Sequence, residues 1–221
     1  MRAVERLDGM TLGDIKNAAL LSGDSTLLQA IKRSYAVTYP DFIEVLYEDV
    51  DSILSVMQEN PELLLDDGED RLTINIIGSL KVMGYEAYHE PKIGGHTDLS
   101  VRSKRAHLWL GEAKVHSSYQ HLFDGFQQLT TRYSTGDVNQ DEGGMIIYIR
   151  NMNSAQVMTR WREDLAERGV DGIKFFDSPI RPDHVFYTSH LHERSSRNYT
   201  VRHMGVILGF NPKDQGTKTA I

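Results

Sequence analysis

A chain of 221 residues, 40% of them hydrophobic, is long enough to bury the core of one domain with an appendage. It contains no cysteine, which excludes a disulfide scaffold, a cysteine-bearing zinc site and a thiol nucleophile, and which fits a reducing compartment. The net charge of −7 is unevenly divided: residues 1–70 carry 15 acidic and 5 basic side chains, net −10, leaving the rest of the chain at +3. An acidic balance overall therefore does not exclude a polyanionic partner for the remainder. No run approaches the length of a membrane span, and the N-terminus, with Glu5 and Asp8 near its start, lacks a signal-peptide pattern. The cytoplasm is the expected location, with no membrane partner.

Taken in chain order, residues 1–65 form an acidic region with helical runs at Leu27 to Tyr35 and at Phe42 to Met57, the second bounded by Pro40-Asp41 and Asn60-Pro61. Its charge repels nucleic acid and suits it to docking a protein partner or to oligomerisation. Residues 66–221 read as the functional domain. An apolar stretch of helical period runs from Glu69 to Val82, opened by the acidic start Asp67-Gly68-Glu69-Asp70. A strand-like Glu86 to His89 follows, then a Gly94-Gly95 turn, then two strand-like runs, Thr97 to Arg102 and His107 to Lys114, separated by the polar cluster Ser103-Lys104-Arg105-Ala106. Tyr119, Leu122, Phe126, Leu129 and Tyr133 recur at spacings of three and four, one face of an amphipathic helix. Gly144 to Ile149 is a continuous apolar run of strand length, which completes a helix, three strands, a helix and a strand. Beyond it, Trp161 to Arg168 predicts a helix, and Gly172 to Phe176, His184 to Thr188 and Tyr199 to Leu208 predict strands that extend the sheet at its edge.

The chemistry concentrates in the central hairpin. With a turn centred near Arg105, an antiparallel register sets Asp98 opposite Glu112, and opposed residues share a face. The period of two returns Lys114 to that face while Ala113 points away and keeps its carbonyl available. Two facing carboxylates repel unless a cation lies between them, and a hard divalent ion held by one or two carboxylates suits the pair. Lys114, a compact point charge, could position water or offset charge on a phosphate. Glu69 shares a helical stripe with Thr73, Ile76 and Leu80 and would extend it toward the site.

Asp98 followed by Glu112-Ala113-Lys114 resembles the signature of the PD-(D/E)xK nuclease superfamily, with Thr97 standing where that signature has proline. The resemblance covers about residues 69–150. It implies a restriction-endonuclease-like α/β fold, an αβββαβ core with a mixed sheet, to which this chain adds an N-terminal helical region and C-terminal strands. It further implies a Mg²⁺ or Mn²⁺ dependent endonuclease acting on DNA, with RNA as the alternative polymer and host defence or restriction as the commonest role. On that reading Asp98, Glu112 and the Ala113 carbonyl bind metal, and Lys114 and Glu69 assist catalysis. His96, Lys92, Arg102, Lys104, Arg105, Gln127, Gln128 and Arg132 contact nucleic acid. A homo-oligomer is expected, because two symmetry-related sites cut a duplex most simply. The competing reading is a nuclease-like subunit that docks a partner through the acidic N-terminal region. His184, His190, His192 and His203 lie downstream without a cysteine to complete a zinc site, and Arg194, Arg197 and Arg202 could grip a nucleic-acid backbone.

Overall fold

The computed structural model describes residues 9–89 and 97–213. Lys92, His96 and the Gly94-Gly95 turn lie outside them. The chain divides into two units, residues 1–48 and 49–221, at a point inside the third helix. The sequence pattern sets the division at 65/66. It falls earlier because the second half of that helix is bonded to the sheet.

The smaller unit is helical. Helix α1 (Leu12–Ser22) opens on a capping box, in which the Asp14 amide donates to Thr11 Oγ1 at 3.2 Å and the Thr11 amide to Asp14 Oδ2 at 2.8 Å, and it closes on Gly23 at φ +68°. Helix α2 (Ser25–Tyr35) is capped by Asp24, and α3 (Tyr39–Met57) by a second reciprocal pair, Thr38 and Asp41.

The larger unit is built on a seven-stranded mixed sheet. After a 3₁₀ turn at Pro61–Leu64 come α4 (Glu69–Val82), β1 (Glu86–Tyr88), β2 (Leu99–Arg102), β3 (Leu108–Val115) and α5 (Tyr119–Gln127). The chain continues into a π-helical segment, Gln128–Tyr133, then β4 (Glu142–Ile149), α6 (Ser154–Glu167), β5 (Lys174–Asp177), β6 (Val185–Leu191) and β7 (Asn198–Ile207). The strand order is β1-β2-β3-β4-β7-β6-β5. Strands β3, β4 and β7 are parallel neighbours at the centre, and the flanking pairs are antiparallel. The C-terminal strands therefore extend the sheet as their sequence pattern predicts. No helix among the described residues is long and apolar enough to cross a membrane.

Burial follows strand alternation. Leu108 and Leu110 of β3, Met145, Ile147 and Ile149 of β4 and Val201 of β7 pack with Leu122, Phe126, Leu129 and Tyr133 and with Val157, Met158, Trp161 and Leu165 of α6. Ile146 and Tyr148 lie on the opposite face, where α4 sits. The sheet tolerates little swelling at its centre, since a Cβ on Gly144 would stand 2.4 Å from the buried indole of Trp109.

On the α4 face a polar network ties α3 to β7. Arg202, 2% exposed, pairs with Asp51 at 2.7 Å, while Gln58 Oε1 accepts the Ile207 amide at 2.8 Å and an Arg181 N–H at 3.2 Å. Arg202 is thus a core residue, unable to grip a nucleic-acid backbone. Arg197 pairs with Asp141 at 3.7 Å, and Arg194 donates to the Ser134 carbonyl. Removing one partner of a buried ion pair strands the other charge, so Asp51→Ala is expected to cost about 3 kcal/mol. Urea unfolding measures that loss, and Asp51→Ala combined with Arg202→Met should recover part of it.

Candidate functional site

The β2–β3 register, Leu99 on Gly111 through Arg102 on Leu108, continues one step to place Asp98 opposite Glu112. The turn centre near Arg105 sets this register, and the Ser103 amide bonding to the His107 carbonyl closes the hairpin at 3.2 Å. Asp98, Glu112 and Lys114 thereby share the face that α5 covers. Lys114 Nζ lies 2.7 Å from Glu112 Oε1, 3.1 Å from Glu69 Oε1 and 3.5 Å from Asp98 Oδ2, and it donates to the Ala113 carbonyl at 3.0 Å. Asp98 Oδ2 also accepts the Ala113 amide at 2.9 Å, and Glu69 Oε2 accepts the Val115 amide at 2.8 Å.

Glu69 arrives from the other layer of the fold. It is the first residue of α4, and it reaches the carboxyl end of β3 because Thr73 anchors its carbonyl at 2.8 Å and itself meets the Tyr148 hydroxyl at 3.2 Å. From above, α5 comes close enough to touch. A Cβ on Gly125 would lie 3.0 Å from Lys114 Cε and 3.3 Å from Glu112 Cγ, so this helix interior carries glycine where the Lys114 stem passes.

Three carboxylates around one ammonium leave an excess of negative charge in a largely buried place. Two like charges 4 Å apart repel by about 4 kcal/mol at an effective dielectric near 20, more than an exposed ion pair returns. Protonation relieves the strain. Burial, reinforced by the Asp98 charge and opposed by Lys114, pushes Glu112 up to about 8. Burial also raises Asp98, against the pull of Lys114 and the Ala113 amide. For Lys114, burial works against the charged form, but the charges of Glu112 and Asp98 outweigh it and hold the ammonium above the ordinary lysine value. Glu112 Oε2 is buried without a hydrogen-bond partner.

Among the described residues, no group of three or more His, Asp or Glu side chains is spaced to hold a metal ion; the carboxylates converge on Lys114 instead. The donor set nevertheless fits a hard divalent cation. Asp98 and Glu112 supply carboxylate oxygens, the Ala113 carbonyl lies beside them, and the orphaned Glu112 oxygen together with the charge excess marks a place where positive charge is lacking.

The other sequence-predicted residues divide. Arg102 is exposed at the far end of β2, four residues and so roughly 13 Å along the strand from Asp98, with Lys104 and Arg105 exposed beyond it in the turn. The fold therefore does not gather a basic patch from the hairpin tip around the site, because a hairpin separates its turn from its open end. Gln127 is exposed and Gln128 half-buried where α5 gives way to the π-helical segment, one turn beyond Gly125, and Arg132 is exposed with its guanidinium 5.9 Å from the Tyr133 ring. His121 was not legible as a site residue: its Nε2 stands 3.8 Å from Glu69 Oε2, on the first turn of the helix that follows the Glu-x-Lys strand. Gly125, an isolated glycine inside an amphipathic helix, was the available signal of close approach. Of the downstream histidines, His190, His192 and His203 are buried in the core, and His184 is half-buried with its Nε2 2.9 Å from Ser154 Oγ. His203 Nδ1 accepts from Trp161 Nε1 at 3.1 Å and its Nε2 meets Thr188 Oγ1 at 3.0 Å, and burial pushes it down to about 3 and His190 to about 4.

Comparison with protein-family models, with curated proteins and with solved structures finds no match to this chain.

The raised Glu112 value fixes the sign of a pH effect. Between 4.5 and about 8 the folded chain holds a proton that the unfolded chain has released, so unfolding free energy falls as pH rises through that window. Urea unfolding in EDTA across pH 5 to 9 should show Glu112→Gln gaining stability relative to wild type as pH rises to about 8, since the variant has no proton to lose. A difference independent of pH would contradict the assignment.

Proposed function

We propose that the chain is a divalent-metal-dependent phosphodiester hydrolase of restriction-endonuclease-like fold, acting on DNA. The observation that carries this reading is the gathering of Asp98, Glu69 and Glu112 on one lysine ammonium, with a Glu112 oxygen left bare. A purely structural ion pair needs one carboxylate, and burying three is costly. The succession α4-β1-β2-β3-α5-β4 and the mixed sheet support the same fold assignment.

Asp98 and Glu112 would hold Mg²⁺ or Mn²⁺, with the Ala113 carbonyl as a further ligand. Bound there, the ion would supply Lewis acidity toward a phosphoryl oxygen and lower the pKa of water. Glu112 must shed its proton to bind the ion, which makes affinity rise with pH. Lys114, protonated throughout the neutral range, stabilises negative charge developing on the phosphate oxygens and orients the attacking water. Glu69 fixes the Lys114 ammonium and the Val115 amide in one arrangement. His121, beside Glu69 in the first turn of α5, would meet the substrate backbone.

Incubation of the purified chain with supercoiled plasmid, linear duplex, single-stranded DNA and RNA, in Mg²⁺, Mn²⁺ or EDTA, tests the proposal. Metal-dependent cleavage is expected, with loss of about 100-fold or more in Asp98→Asn and Lys114→Gln, the scale of removing one group that stabilises transition-state charge. Absence of cleavage of all four polymers with either metal would overturn it.

A further inference from the structure

We infer that Arg150, just past the end of β4, is a positioning residue for this centre; the inference rests on the nuclease reading. Its guanidinium Nη2 donates to the Leu64 carbonyl at 3.2 Å and to the Asp67 carbonyl, so that it grips the chain immediately ahead of Glu69. That grip matters because α4 begins without a side-chain cap: its N-cap is Gly68, and the local holds on the first turn are the Leu72 amide on the Gly68 carbonyl at 3.1 Å and the Asp67–Arg71 ion pair at 3.1 Å. Arg150 adds a hold from outside the helix, on the Asp67 carbonyl two residues ahead of Glu69.

A second hold comes from the end of β4 itself. Tyr148, two residues earlier and on the same face as Arg150, brings its buried hydroxyl 3.2 Å from Thr73 Oγ1, which donates to the Glu69 carbonyl at 2.8 Å. Arg150, just past β4, thus holds the backbone before Glu69, and Tyr148 of β4 holds the Glu69 carbonyl through the Thr73 hydroxyl; β4 is the neighbour of the strand that carries Glu112 and Lys114. The carboxylate fixed between these holds accepts the Val115 amide and Lys114 Nζ. The strand beside the reacting groups and the helix that completes them are locked into one frame, and neither Arg150 nor Tyr148 needs to touch substrate. The Nε of Arg150 is buried without a partner, so the side chain is sequestered for these carbonyls at some cost.

Cleavage kinetics and amide exchange on the full chain test this. In Arg150→Ala, kcat is expected to fall about 10- to 100-fold with KM little changed, since a misplacement near 1 Å at a reacting group carries a penalty of that size. Millimolar guanidinium should restore part of the rate, as should Arg150→Lys. Independently of any activity, the Val115 amide should exchange at least tenfold faster in Arg150→Ala while the Ile147 amide keeps its protection. Tyr148→Phe, which keeps the ring and removes only the hydroxyl, should move both readouts in the same direction and serves if Arg150→Ala does not fold. Unchanged Val115 exchange in a folded variant overturns the inference. Inactivity of the wild type would instead strike the nuclease reading, and the exchange measurement would still decide the role of Arg150.

Discussion

The arrangement turns on the ammonium of Lys114. Without it, Asp98, Glu112 and Glu69 would meet in a poorly hydrated corner with nothing between them, and charge repulsion would open the end of the β2–β3 hairpin and push α4 off the sheet. With it, the cluster closes but stays short of positive charge. That shortfall appears as a glutamate pushed up to about 8 and as an oxygen with no partner. On the proposed reading, a divalent cation would make good that shortfall.

The surrounding fold makes that shortfall sustainable. The carboxyl ends of the parallel strands β3 and β4 and the N-terminal turns of α5 and α6 lie at one end of the sheet, as chain connectivity requires when a parallel strand leads into a helix, and Glu69 and Arg150 bring the start of α4 to the same end. Glu69 opens α4, His121 lies in the first turn of α5, and Lys114 ends just before it. Below this end the two faces are packed solid, with Trp109 against Gly144 and His203 stacked on Phe186 at a ring separation of 4.4 Å. The rigidity beneath holds the charged residues where solvation alone would scatter them.

The parts legible in the sequence are those governed by local periodicity. The span Glu69–Val82 is helical to the residue, because its apolar positions recur at three and four, and the Asp98–Glu112 register follows from one turn and a period of two. Long-range contacts to backbone were not legible: nothing in the order of residues joins Arg150 to the carbonyl of Asp67, 83 positions earlier, or Gln58 to the Ile207 amide. Such bonds leave no side-chain pattern on the receiving residue. Nearness in sequence is not nearness in space along an extended strand. Arg102, Lys104 and Arg105 are close to Asp98 in sequence, yet the strand carries them away from it. The π-helical segment after Gln127 was hidden because its buried residues, Leu129 and Tyr133, satisfy α-helical spacing as well as π.

Calorimetric titration of Mn²⁺ into the chain at pH 7, in two buffers of different ionisation enthalpy, addresses the site most directly. Saturable binding is expected, releasing about one proton per chain, the one held by Glu112, with binding lost in Asp98→Asn and proton release lost in Glu112→Gln. Absence of binding, or binding that neither substitution alters, would contradict the metal-site reading.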